Sequence, residues 1–171
     1  MFGIKIIICI AIVCITSYIG IELASMLNKR EKTLIDMITF LKLVQNDMKY
    51  LLSSIPYSFE NARLGLNSSL KDAIGAIVVD MEKNGVDFIG NSISKNINDI
   101  TELTSYDKEI FISTLKKLGK GDIDSQNNII LNAINILEGQ IKEAKDKKEK
   151  NTKLYRTIGV VSGLIIVVIF I

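Results

Sequence analysis

The sequence contains no histidine and no tryptophan, only one proline, and two cysteines that both lie near its start. Without histidine, the chain cannot form a Ser-His-Asp or Cys-His catalytic arrangement or a histidine-ligated metal site. Cys9 and Cys14 fall inside one apolar run, so the rest of the chain has no disulfide or zinc framework. Neither phosphate-binding glycine pattern occurs, because the turn at Gly119-Lys120-Gly121 is too short for a Walker loop.

Carboxylates remain as a candidate catalytic pair, but nearly all of them fall on the polar faces of predicted helices. This placement is typical of solvated surface. The sequence therefore predicts a protein that is not an enzyme and that has no cofactor and no metal.

Charge is divided unevenly along the chain. Between Thr33 and Ile141 there are ten Lys or Arg and fourteen Asp or Glu, a net charge of −4. An acidic body argues against nucleic acid, which requires a basic face. The basic residues cluster instead on both flanks of this region, at Lys29, Arg30, Lys32, Lys142, Lys145, Lys147, Lys148, Lys150, Lys153 and Arg156.

Both ends of the chain are apolar. The run from Phe2 to Ile21 carries one charge, Lys5, and twenty helical residues span about 30 Å, the thickness of a bilayer core. Thr157 to Ile171 is uncharged, although its fifteen residues rise only about 22 Å. These runs predict transmembrane helices over 2–27 and 154–171, with a helical domain over 28–153 between them.

Two alternatives to this arrangement are less well supported. A cleaved signal peptide requires a small-residue cleavage site, and the first segment offers none. A re-entrant or interfacial second helix would usually show a polar face, which this one lacks. Because short basic flanks stay on the cytoplasmic side, the domain over 28–153 is expected to face the cytoplasm.

Apolar residues in the domain recur at steps of three and four, which predicts helices and no strands. The stripes are Leu34, Met37, Leu41, Val44, Met48, Leu51 and Ile55 in the first helix, Leu70, Ile74, Ile77, Val78 and Met81 in the third, and Ile89, Ile93, Ile97 and Ile100 in the fourth. Predicted starts and stops are Pro56, Ser68 or Ser69, Asn84-Gly85, Thr104 with Asp107, Leu118-Gly119, and Asp122 or Asp124. The fold class is all-α: a compact bundle of about six helices, the first and last continuing into the membrane.

Small residues occur at four-residue spacing in both apolar ends. Gly159 and Gly163 form a G-x-x-x-G pattern, and Gly20 with Ala24 forms a similar face. Such patterns let helix backbones approach closely in lipid. Packing within the protein's own helix pair, contact with another protein and chance spacing all stay open.

Glu22 lies between Gly20 and Ala24, near the predicted cytoplasmic boundary. A carboxylate deep in lipid would indicate function. At the boundary, Glu22 is expected to be an interfacial charge or a partner of Lys29 or Arg30, and Arg30 is likewise predicted as an interfacial charge.

The segment from Leu118 to Gln126 contains a helix stop, a turn and a new helix cap. That structural role accounts for Gly119 and Asp122. Asp122 and Gln126 are also the residues we predict for a partner-binding surface.

Three stretches of the chain resemble the stage III sporulation protein AB family of endospore-forming bacteria. They are Gly20-Ile21-Glu22-Leu23-Ala24 with Arg30 and Leu34, then Asp47-Met48-Lys49-Tyr50 with Ile55-Pro56, and Leu118-Gly119-x-x-Asp122-x-x-x-Gln126. The resemblance covers essentially the whole chain. Asp47, Met48 and Lys120-Gly121 depart from the residues expected in that family.

The resemblance implies a membrane component of the channel between mother cell and forespore, with its cytoplasmic domain at the mother-cell membrane that surrounds the forespore. The family is likened to the inner-membrane platform of type II secretion and type IV pilus machines, which docks a cytoplasmic ATPase. That platform has a duplicated soluble unit and more membrane spans than this chain. The implied partners are the lipid bilayer, a secretion-type ATPase and other channel proteins, and self-association stays open.

Together with the missing catalytic groups, the resemblance predicts that the chain is a non-catalytic scaffold. The alternative is a membrane-anchored regulatory module that signals during sporulation.

Overall fold

Over residues 2–51, 53–85 and 89–170, which the computed structural model describes, the chain forms six α-helices and no strand, so the all-α prediction is confirmed. A short π-helical turn, Asp47–Leu51, follows the first helix. The helices are α1 (Phe2–Asn46), α2 (Ile55–Leu64), α3 (Leu70–Asn84), α4 (Gly90–Asn98), α5 (Ser105–Lys117) and α6 (Ile123–Phe170).

The chain divides into two compact units. Met1–Lys29 and Glu143–Ile171 form one unit, here called the terminal helix pair, and Arg30–Lys142 form the other, the helical domain. The helical domain was predicted to end at residue 153, but the charged residues 143–153 belong to the terminal helix pair. The membrane boundaries themselves stay a prediction.

The core of the helical domain is built around three phenylalanines that have no exposed surface. Phe40 packs edge-to-face against Phe59, with ring centroids 5.0 Å apart, and against Phe111 at 5.8 Å. Each such pair adds about 0.5–1.5 kcal/mol beyond the burial of apolar area. The rings thereby join α1, α2 and α5 in one core.

The predicted apolar stripes of α3 and α4 are buried in the structure, and so are Leu34 to Met48 of the first stripe. Leu51 is an exception. It was predicted on the buried stripe but is 62% exposed. The reason is the π-helical turn over Asp47–Leu51, because the wider i to i+5 turn rotates the following side chains away from the α-helical face.

Helix ends follow local chemistry. Thr104 Oγ1 accepts a hydrogen bond from the Asp107 amide, and the Asp107 carboxylate accepts one from the Thr104 amide, so the predicted capping box is confirmed. Pro56 lies in the first turn of α2, as predicted. At the start of α3, Ser68 bonds the Leu70 amide, while Ser69 makes no capping bond.

Candidate functional site

The turn between α5 and α6 depends on two glycines with positive φ. Gly119 has φ +82° and Gly121 has φ +96°, a region that residues with a side chain rarely adopt. A Cβ added at Gly119 would lie 3.2 Å from Ile55 Cγ1. The turn is therefore seated closely on the start of α2.

Gln126 lies inside this turn and is only 7% exposed. Its Oε1 accepts a hydrogen bond of 2.8 Å from the Gly119 amide, and its Nε2 donates one of 3.1 Å to the Gly121 carbonyl. Both polar ends of the side chain are thus used by the turn backbone. The structure therefore shows the Gln126 side chain fixing the backbone of the turn. A contact between Gln126 and a partner stays a prediction.

Asp122 is exposed and caps α6. Its Oδ1 accepts a hydrogen bond of 2.9 Å from the Ser125 amide. Hydrogen bonds from Ser125 lower the pKa of the Asp122 carboxyl, so this group is charged at neutral pH. Of the two residues predicted for a partner surface, Asp122 is the one accessible to a partner.

A cleft of about 200 Å³ lies beside the turn. Its aliphatic wall consists of Ile55, Ile89, Ile93, Leu115 and Leu118, and its polar edge consists of Gly90, Asn91, Lys116, Gly119 and Lys120. No local sequence pattern indicates this cleft, because its walls come from three separate stretches of the chain.

A buried ion pair connects α1 to α5 in the helical domain. Arg30 Nε donates to Asp107 Oδ2 at 2.8 Å, and Arg30 Nη2 donates to Asp107 Oδ1 at 3.1 Å and to Gln140 Oε1 at 3.1 Å. The two side chains are 7% and 0% exposed. Arg30, predicted as an interfacial charge, is therefore a buried structural residue.

The Asp107 carboxyl experiences two opposed effects. Burial alone would raise its pKa, but hydrogen bonds from Arg30 and Thr104 outweigh burial and hold the pKa below the usual carboxyl value. The carboxylate therefore stays charged when buried. Within the described ranges, no group of three or more Cys, Asp or Glu side chains is arranged to hold a metal ion.

The predicted small residues of the membrane segments meet inside the terminal helix pair. A Cβ added at Gly159 would lie 2.8 Å from the Thr16 carbonyl oxygen and 2.9 Å from Gly20 Cα. One added at Gly163 would lie 3.0 Å from Val13 Cα. Ala24 is also buried. Of the readings left open above, this geometry favours packing between the chain's own two helices.

Glu22 pairs with Lys29 at 2.9 Å, and both side chains are about half exposed. Lys29 is one of the two partners that the sequence suggested for Glu22. The pair lies within the terminal helix pair, whereas Arg30 bonds inside the helical domain.

The helices α1 and α6 each contain a stretch long and apolar enough to cross a bilayer, with mean hydropathies of 2.0 and 1.6. Only 11% of each stretch is buried. A core helix of a soluble protein would bury most of such a surface, so these exposed apolar faces suggest membrane association.

The family model described as stage III sporulation protein AB matches residues 5–171 of the chain. No curated protein and no solved structure matches the chain.

Proposed function

We propose, from the premise that this chain belongs to the stage III sporulation protein AB family, that it is a non-catalytic membrane scaffold of the mother cell–forespore channel. Family membership assigns the chain to sporulation. In the proposal, the terminal helix pair anchors the protein in the mother-cell membrane around the forespore. The helical domain then faces the cytoplasm and docks a secretion-type ATPase and other channel subunits.

The observation that carries the proposal is the close glycine packing of the two apolar chain ends. Helices that meet through Gly20 and Gly159 gain van der Waals contact between backbones, the kind of contact that associates helices in lipid. Their outer faces expose apolar side chains such as Ile19, Ile158 and Val168. A helix pair with this construction is suited to a bilayer, and its basic flanks favour the cytoplasmic side for the domain.

A docking role for the helical domain is supported by the turn between α5 and α6. The sequence has no phosphate-binding loop, and in the proposal the docked ATPase supplies nucleotide hydrolysis. The turn is held rigidly by Gln126 and presents the charged Asp122 carboxylate to solvent. A rigid, charged turn is a suitable surface for a specific partner.

Photocrosslinking in sporulating cells tests the proposal. A photoreactive residue in place of Ile123, the exposed neighbour of Asp122, is expected to capture an ATPase of the secretion type, identified by its phosphate-binding loop. The same residue in place of Asn132, an exposed position elsewhere on α6, is the matched control and should not capture it.

Two Asp122 variants separate binding from capping. Asp122→Asn keeps a good helix cap and removes the charge, whereas Asp122→Ala removes both. If the charge contacts the ATPase, both variants lose capture. Full capture with Asp122→Asn would show that Asp122 only caps the helix, and capture of a signalling kinase in place of an ATPase would overturn the scaffold.

A further inference from the structure

The cleft beside the turn has an unusual combination of an aliphatic wall and a basic edge. Ile93, Leu115 and Leu118 are almost fully buried and form the apolar part, while Lys116 and Lys120 are exposed at the edge. The domain as a whole is acidic, with a net charge of −4 between Thr33 and Ile141. The two lysines are therefore a local positive patch on a negative body.

In the part of the chain that the structure describes, neither Lys116 nor Lys120 is in ion-pair contact with a carboxylate. The nearest acid in sequence to Lys120, Asp122, already accepts the Ser125 amide. Both ammonium groups are consequently available to an acidic group from outside.

The cleft is also held in a fixed shape. Gly119 rests against Ile55, and Gln126 bonds the backbone on either side of Lys120. Gly90, at the start of α4, leaves room at the edge of the cleft, because among the described residues a Cβ added there would contact Lys116 Cε alone, at 3.8 Å. A preformed cleft loses little conformational entropy when a side chain enters it.

We infer that this cleft is the docking pocket for a partner segment that inserts a branched aliphatic side chain and presents flanking carboxylates to Lys116 and Lys120. The apolar wall matches the aliphatic group, and the two ammonium groups match the carboxylates. The inference rests on the proposed function and deepens it, since it states the chemistry by which the ATPase is recognised. The recognised feature is a leucine or isoleucine beside Glu or Asp.

The test uses the full chain in discs of neutral phosphatidylcholine and a fluorescent peptide with a central leucine flanked by glutamates. Binding is expected, and replacing the peptide leucine by alanine should weaken it about tenfold or more, as the loss of a buried aliphatic side chain requires. A peptide with lysines in place of the glutamates should not bind, and added salt should weaken the acidic peptide.

Two pairs of protein variants locate the binding. Gly90→Leu fills the cleft and should reduce peptide affinity about tenfold or more, whereas Gly139→Leu, where an added Cβ meets nothing within 4 Å, should not change it. Reversing both edge charges, with Lys116→Glu and Lys120→Glu, should give a loss of about the same size. Lys117→Glu, exposed but outside the cleft, should leave binding unchanged by comparison.

The inference is wrong if the acidic peptide does not bind the parent protein, or if Gly90→Leu and the double charge reversal bind it as well as their controls. Binding that survives both would come from another basic region, such as the segment before the second apolar run. This result is distinguishable from failure of the proposed function, which is read from the identity of the protein captured at Ile123, a residue outside the cleft.

Discussion

Replacing Arg30 by methionine is expected to lower the free energy of unfolding of the helical domain by about 3–5 kcal/mol. Methionine keeps most of the side-chain volume and leaves the capping box of Thr104 and Asp107 in place. It removes both hydrogen bonds that Arg30 makes to Asp107, whose side chain has no exposed surface. A buried carboxylate without its cation is costly, because water cannot solvate it.

Pulse proteolysis of the full chain in detergent, across a urea series, measures this loss while the detergent protects the apolar ends. Arg63→Met is the matched control, because Arg63 also pairs with a carboxylate, Glu60, but solvent reaches that pair, whose side chains are 26% and 42% exposed. Exposed pairs contribute about 0–1 kcal/mol, so the control should unfold near the parent midpoint. Equal losses in the two variants would show that the Arg30–Asp107 pair does not stabilise the domain.

Lowering the pH should reduce the difference in the free energy of unfolding between the parent and Arg30→Met. In the parent, the pKa of Asp107 lies below the ordinary carboxyl value of 3.8. The stability that the charged Asp107 contributes is therefore fully present above about pH 3.8, and it is lost as the pH falls through the lowered pKa. In the variant, burial without Arg30 raises the pKa, and protonation of Asp107 relieves the penalty. The urea midpoints of the two proteins should therefore converge below about pH 4.

The second large effect is expected from Gly159→Leu in the terminal helix pair. The leucine Cβ would overlap the Thr16 carbonyl oxygen and Gly20 Cα, which are backbone atoms and cannot move aside without displacing the helix. We expect the helices to separate toward the 8–10 Å axis distance that larger side chains impose, at a cost of about 1–3 kcal/mol.

Pulsed EPR on the full chain in lipid discs reports this separation. Spin labels at Ile19→Cys on α1 and Ile158→Cys on α6 occupy exposed positions, with Cys9 and Cys14 replaced by serine. The parent should give one narrow distance distribution, and Gly159→Leu a longer or broader one. Val160→Leu, at an exposed neighbouring position, should match the parent. An unchanged distance in Gly159→Leu would contradict the glycine packing.

The features that were predictable from the sequence are local. Pro56, the Thr104–Asp107 capping box and the apolar stripes act over three or four residues, so their spacing alone indicates them. The apolar ends could also be identified as candidate membrane helices, because they are long and carry at most one charge each.

The features that were missed depend on contacts between distant residues or on local backbone geometry that residue spacing does not reveal. Arg30 and Asp107 are 77 residues apart in sequence, and nothing in either local pattern indicates the partner. The π-helical turn that exposes Leu51 follows an uninterrupted apolar stripe, so periodicity could not reveal it. Gln126 could be placed at the turn from its spacing, but the direction of its side chain required the backbone geometry of Gly119 and Gly121.

The central claim is that two membrane helices hold the helical domain on the cytoplasmic side of the membrane. Labelling Ser113→Cys, an exposed position on α5, with a membrane-impermeant maleimide tests it most directly, again with Cys9 and Cys14 replaced by serine. The account predicts labelling in inside-out vesicles and in permeabilised cells, and none in intact mother cells. Labelling in intact cells, or recovery of the protein in the supernatant after ultracentrifugation without detergent, would contradict it.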